Sequence, residues 1–123
     1  MRKIQIGNNE YNFNASAFTI LKYKNDYNRE LYKDVKKIYD LIKPFLSVEN
    51  EDEQAMGMLE ILDKFMLILL EMAYCMLTNE SKDNKSFETW LEELTDLGEN
   101  TRWMVDILLL AMSPFRKSTY TPK

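Results

Sequence analysis

The chain contains no histidine, and this absence excludes more chemistry than any other feature of its composition. Histidine is the commonest general base, the usual partner of a nucleophilic serine or cysteine, and the usual zinc ligand. The single cysteine, Cys75, has no partner for an internal disulfide, which indicates a reducing, cytoplasmic compartment. It lies late in an apolar helical segment, so we expect a small buried thiol and not a nucleophile. These absences close much enzyme chemistry but leave paired carboxylates possible, and we identify no catalytic residues and no cofactor from the sequence.

Long apolar runs, glycine and proline are scarce as well. The most apolar stretch, residues 65–77, contains Glu71 and is shorter than the roughly 20 residues that span a bilayer, so we interpret it as a buried helix. With only 3 glycines and 3 prolines, little interrupts long helices. A length of 123 residues with 46% hydrophobic residues suits one domain. We expect this domain to span residues 1–115, followed by a flexible basic tail at residues 116–123.

Acidic residues outnumber basic ones by 20 to 16, which gives a formal net charge of −4. This balance argues against attraction to nucleic-acid phosphates or anionic lipid, and makes proteins the expected partners. It also disfavours base stacking as the role of the four tyrosines that occur among lysines, namely Tyr23, Tyr27, Tyr32 and Tyr39. The acidic residues 49–53 lack the glycine and oxygen spacing of a calcium loop. We predict that they form a solvated linker and helix start without a metal.

The N-terminus alternates apolar and polar residues and predicts a β-hairpin over about residues 2–14. Ile4 and Ile6 precede a Gly7-Asn8-Asn9 turn, and Tyr11 and Phe13 follow it. A two-stranded hairpin is marginal by itself, so its apolar face must pack against the rest of the domain.

Helical spacing of apolar residues predicts about five helices after the hairpin. The first starts at Asn14 or Ser16 and is broken by residues 24–28, and the second ends near Lys43 because Pro44 disfavours helical geometry before it. The third and longest follows the acidic linker and reaches about Thr78. The fourth spans about Ser86–Leu97, and the last starts at Asn100 or Thr101. The expected fold is mainly α, a small helical bundle with an N-terminal hairpin.

The longest helix has one apolar face and a polar side that is interrupted by two large residues. Glu60, Lys64 and Glu71 lie on the polar side, and Leu67 and Tyr74 break it. Such a helix is either central in the fold or covered by another subunit. Five of the eight methionines also fall on this helix. They can form core or an adaptable binding face, and their core spacing favours the core.

The segment "KSFETWLEEL" at residues 85–94 places a tryptophan in an acidic setting. Phe87, Trp90, Leu91 and Leu94 share one helical face, which is therefore a docking face. It can dock on its own domain or on a partner. Because tryptophan is first of all a large apolar anchor, we predict that Trp90 fastens this helix to its own domain.

Three segments, in this order and spacing, resemble the tail assembly chaperones of siphophages and prophages from low-GC Gram-positive bacteria. They are "IGNNEYNFNASAFTILKYKNDYNREL" at residues 6–31, "LLEMAYCM" at residues 69–76 and "SFETWLEEL" at residues 86–94. The resemblance implies a non-enzymatic protein that binds the tape measure protein and keeps it soluble until the tail tube polymerises around it. It also implies self-association, residence in the host bacterial cytoplasm and absence from the mature virion.

A protein of this kind is expected to hold apolar helical client segments against its most apolar helices. The candidate contact residues are Leu67, Tyr74, Leu109 and Met112. The expected partners are the tape measure protein and further copies of the chain, with the tail tube protein as an additional candidate. Two other functions stay open: a small phage structural part, such as a head–tail completion protein, and an acidic regulator that binds a host protein.

Overall fold

The computed structural model describes residues 1–116 and confirms the predicted fold class, a mainly α protein with an N-terminal β-hairpin. Residues 117–123 of the predicted basic tail lie outside the described residues. The elements in chain order are β1 (Arg2–Ile6), β2 (Asn9–Phe13), α1 (Ala17–Tyr27), α2 (Leu31–Leu46), α3 (Glu51–Met76), α4 (Asn79–Lys82), α5 (Phe87–Glu93), α6 (Arg102–Met112) and a 3₁₀ turn (Ser113–Phe115).

The hairpin is antiparallel, with Ile4 opposite Tyr11, and its predicted apolar residues are buried. Its turn requires glycine, since Gly7 has a φ of +62° and a Cβ there would lie 1.9 Å from the Thr95 carbonyl oxygen. Beside it, the Asn8 side-chain amide donates to the Thr95 hydroxyl at 3.0 Å. The turn is thus fastened to the loop after α5.

The long helix α3 is central, because α1, α2 and α6 all pack against it. Its N-cap is Asn50, whose side-chain oxygen accepts hydrogen bonds from the backbone N–H groups of Asp52 and Glu53 at 2.9 and 3.2 Å. It ends at Met76, and the next residue, Leu77, pairs with Phe13 of the hairpin. The hairpin, α1–α3, α5 and α6 contribute buried side chains to one hydrophobic cluster.

Helix α2 ends later than predicted. It passes through Pro44 and ends at Leu46 instead of near Lys43. Proline removes one backbone donor, so the last turn of α2 loses one intrahelical hydrogen bond and can still form. The last turn is held from outside: the Phe45 ring packs on Gly57, and the Gln54 side-chain amide donates to the Phe45 carbonyl at 2.8 Å.

The ends of two other helices also differ from the prediction, and the structure contains one helix that was not predicted. Helix α1 continues through residues 24–27, because Asn28 ends it in the left-handed conformation with a φ of 54°. Helix α5 ends at Glu93, four residues before the predicted Leu97, where the hairpin turn binds residues 93–96. The polar connection before α5 contains the short helix α4, which was not predicted and is capped by the Thr78 hydroxyl.

Candidate protein-binding groove

The groove between α2 and α6 is the candidate functional site. It holds a surface cavity of about 290 Å³. Its lining comes from α2, α6 and the residue after the 3₁₀ turn: Tyr32, Val35, Lys36, Tyr39, Asp40, Leu109, Met112 and Arg116. We call this feature the α2–α6 groove.

The α2–α6 groove has an apolar floor and a charged rim. Val35 is buried, and the half-buried Leu109 and Met112 continue the floor on the α6 side. On the rim, the Lys36 ammonium lies 3.0 Å from the Asp40 carboxylate. The Arg116 guanidinium donates to the Leu109 carbonyl at 3.3 Å, near the C-terminal end of α6. Such a surface suits an amphipathic segment, whose apolar side meets the floor while its polar groups meet the rim.

The apolar surface continues beyond the groove towards α1. The rings of Tyr32 and Phe115 meet edge to face, with centroids 5.4 Å apart, and both side chains are exposed. On their far side lies a second hollow of about 310 Å³, which Ile20 and Leu31 help to line. The two hollows share Tyr32 in their linings, so they lie next to each other on the surface.

The four predicted contact residues do not form one surface. Leu109 and Met112 lie together in the α2–α6 groove, whereas Leu67 lies on the exposed side of α3. Tyr74 is covered by its own chain, because its ring packs on Phe87 and its hydroxyl donates to the Lys85 carbonyl at 2.5 Å. The interruption of the polar side of α3 at Tyr74 therefore has an explanation within the domain.

Glu71, which the sequence placed on the polar side of α3, is also covered. Its carboxylate accepts a hydrogen bond from the Arg29 guanidinium in the connection between α1 and α2. Its side chain is only 13% exposed. The predicted polar side of α3 is thus exposed to solvent only in the N-terminal part of the helix.

Sequence reasoning missed Tyr32 and Tyr39 as groove residues. They are seven residues apart on α2, a spacing that places both on one side of the helix. Their spacing relative to Val35 could have indicated that they share a surface of α2 with it. The opposite side of the groove comes from α6, and only the tertiary structure places α6 there.

Trp90 is fully buried, as predicted. It lies in an aromatic cluster with Tyr11, Tyr74 and Phe87, with ring centroids 5.7–6.4 Å away. It therefore fastens α5 to both the hairpin and α3.

Cys75 is buried, and burial raises the pKa of its thiol to about 11. A rise from the ordinary value of 9.0 lowers the thiolate fraction near neutral pH about a hundredfold. We therefore expect native protein to react with an aromatic disulfide reagent at least about a hundredfold more slowly than urea-unfolded protein at pH about 8. Stopped-flow absorbance measures both rates, and similar rates would contradict a buried thiol.

The acidic residues 49–53 act as linker and helix start, with Asn50 as the N-cap of α3. Within residues 1–116, no three His, Cys, Asp or Glu side chains are grouped closely enough to hold a metal ion. Over the same residues, no helix combines the length and the apolar character needed to cross a membrane.

Comparisons with family models, curated proteins and solved structures found no match to this chain.

Proposed function

We propose that the chain is a non-enzymatic phage tail assembly chaperone that binds apolar helical segments of the tape measure protein and keeps it soluble until the tail tube polymerises. The observation that carries this proposal is the α2–α6 groove, an open apolar surface between two helices. Two of the contact residues expected from the sequence, Leu109 and Met112, lie in it. The buried thiol and the lack of histidine support a role in binding over one in catalysis.

An apolar groove is a suitable receptor for a helical client. Apolar burial supplies affinity without demanding one client sequence, and a methionine wall adapts its shape to different side chains. The exposed Tyr32–Phe115 pair extends the apolar surface towards the second hollow, which gives a client helix further apolar contact beyond the groove.

Co-expression with the tape measure protein tests the proposal. We expect wild-type chain to increase the soluble fraction of the client and to elute with it in size-exclusion chromatography. Met112→Glu places a charge in the groove and is expected to weaken the complex about tenfold or more, because the charge is desolvated in an apolar contact. Leu21→Glu is the matched control, since Leu21 is exposed on α1 and does not line the groove.

The design keeps folding and binding apart. Circular dichroism establishes that each variant is folded, and Tyr32→Glu, at an exposed position of the same groove, replaces Met112→Glu if that variant unfolds. Unchanged client solubility with wild-type chain, together with no complex, would overturn the proposal. Stoichiometric presence of the chain in purified tails, measured by mass spectrometry, would instead make it a structural part of the virion.

A further inference from the structure

We propose that the exposed face of α3 between Met56 and Leu67 docks a basic amphipathic helix of a partner protein. This inference stands on the α3 surface and does not depend on the proposed function. We call the surface the α3 stripe and define it by Met56, Leu59, Asp63, Met66 and Leu67.

Four of the five residues of the α3 stripe are apolar, and the stripe is uncovered in the described part of the chain. Met56 is 72% exposed and Leu67 57%, while Leu59 and Met66 are each at least 40% exposed. Positions 56, 59, 63 and 66 follow the alternating three- and four-residue spacing by which one helix packs along another. The stripe ends where its own chain covers the helix, since Leu70 is buried and Tyr74 packs on α5.

Both edges of the α3 stripe are defined by neighbouring elements. On one edge, Leu59 lies against the loop after α5, where a Cβ added to Gly98 would be 2.7 Å from it. On the other edge, α2 and α3 enclose an apolar hollow of about 230 Å³ beside Gly57. The hollow is lined by Leu41, Phe45, Gly57, Glu60, Ile61, Lys64 and Phe65. A large side chain of a docked helix has a place to insert there.

The charge around the α3 stripe selects the partner. Residues 51–67 contain five acidic residues and one lysine, which gives this segment a net charge of −4. The whole chain has the same net charge, so the charges outside this segment sum to zero. Among residues 1–116, none of these five acids lies within 4.0 Å of a basic group. The bordering loop adds the exposed Asp96 and Glu99. The nearby Lys37 and Lys64 lie on the hollow side, each 5.7 Å from the Phe65 ring.

This charge disfavours a second copy of the chain as the occupant. A two-fold pair of α3 stripes would bring Asp63 and its acidic neighbours close to the same residues of the other copy, and like charges repel. A helix with lysines or arginines beside an apolar seam is complementary to both the exposed apolar side chains and the acidic surroundings of the stripe. The stripe runs for about 16 Å, roughly three helical turns, which matches a helix better than an extended strand or a loop.

A designed peptide tests the inference. The probe is a labelled helix of about three heptads with leucine at the seam positions and lysine beside them, and its matched control has glutamate in place of lysine. Fluorescence anisotropy with the full chain is expected to show saturable binding of the lysine peptide and none of the glutamate peptide. The double variant Met56→Ser/Leu67→Ser is expected to raise Kd about tenfold or more, and Asp63→Lys several-fold.

Control variants separate docking from general charge attraction. Phe18→Ser/Leu21→Ser removes two exposed apolar side chains from α1 and should leave Kd within about twofold, as should Glu10→Lys on the hairpin. Added salt should weaken binding to every variant and leave the effect of Met56→Ser/Leu67→Ser in place. If the stripe variants and the control variants bind the lysine peptide equally, the proposal is wrong. Sedimentation equilibrium tests whether a second copy of the chain occupies the stripe instead. A dimer that Leu67→Ser abolishes would also overturn the proposal.

Discussion

Trp90→Ala is expected to lower the free energy of unfolding by about 3–5 kcal/mol, the range for removing a large buried aromatic side chain. Trp90 is fully buried, and its ring lies between Tyr11 of the hairpin and Tyr74 of α3. It is the buried residue of α5, so its truncation leaves a cavity between α5 and two other elements and removes the main apolar anchor of that helix. Urea unfolding followed by far-UV circular dichroism measures the change.

Trp90→Phe is the matched variant for this experiment. Phenylalanine keeps an aromatic ring in the cluster and removes the indole N–H, which has no hydrogen-bond partner among the described residues. The cost of the smaller ring is therefore partly offset by the loss of an unsatisfied donor, and we expect a decrease of no more than about 2 kcal/mol. Equal stability of the alanine and phenylalanine variants would contradict the role of Trp90 as the anchor of α5.

Arg29→Met is expected to lower the free energy of unfolding by about 2–3 kcal/mol. The Arg29 guanidinium donates to Asp34 at 2.9 Å and to the Tyr23 hydroxyl at 3.1 Å, and it also binds Glu71. Removing it leaves two acids that are 19% and 13% exposed without their cation. Breaking a fully buried pair costs roughly 3–5 kcal/mol; we expect less because a third of the Arg29 side chain is exposed.

The Arg29 network joins three helices, which explains the size of this effect. Tyr23 is in α1, Asp34 in α2 and Glu71 in α3, and the guanidinium also lies 5.3 Å from the ring centroids of Tyr23 and Tyr27. Burial and the hydrogen bond to Asp34 raise the pKa of the Tyr23 hydroxyl, so it stays neutral and donates to that carboxylate at 2.6 Å.

Lys36→Met is the control for Arg29→Met. Lys36 pairs with Asp40 at 3.0 Å, but both side chains are more than half exposed, so water and salt screen the pair and we expect little change in the free energy of unfolding. The double variant Arg29→Met/Glu71→Gln should lose less than the sum of the two single losses, because the second change removes a charge that the first left unpaired. Additive losses would show that Arg29 and Glu71 do not interact.

The sequence predicted the elements whose signal is local. The hairpin follows from alternation at Ile4, Ile6, Tyr11 and Phe13, and all four are buried in the structure. The helices follow from apolar spacing, and the burial of Trp90 follows from its place on an apolar helical face. Helix ends were predicted less well, because α2 and α5 end where distant contacts permit: Phe45 on Gly57, and the hairpin turn on residues 93–96.

The candidate site was predicted in part for the same reason. Leu109 and Met112 were selected as client-contact residues on one of the most apolar helices, and they lie in the α2–α6 groove. Their counterparts Tyr32 and Tyr39 are 70 to 80 residues away in the chain, and only packing of α2 beside α6 makes them neighbours. Glu71 likewise appeared solvated until Arg29, 42 residues away, was placed against it.

Leu67 and Tyr74 show what the sequence determined and what the tertiary structure decided. They are seven residues apart, so an α-helix places them on the same side, and the sequence by itself determined that both interrupt the polar side of α3. Only the tertiary structure decided their different surroundings: α5 packs over Tyr74, while Leu67 stays 57% exposed. Helical periodicity is a local property of the chain, whereas the covering of a side chain depends on where a distant segment packs.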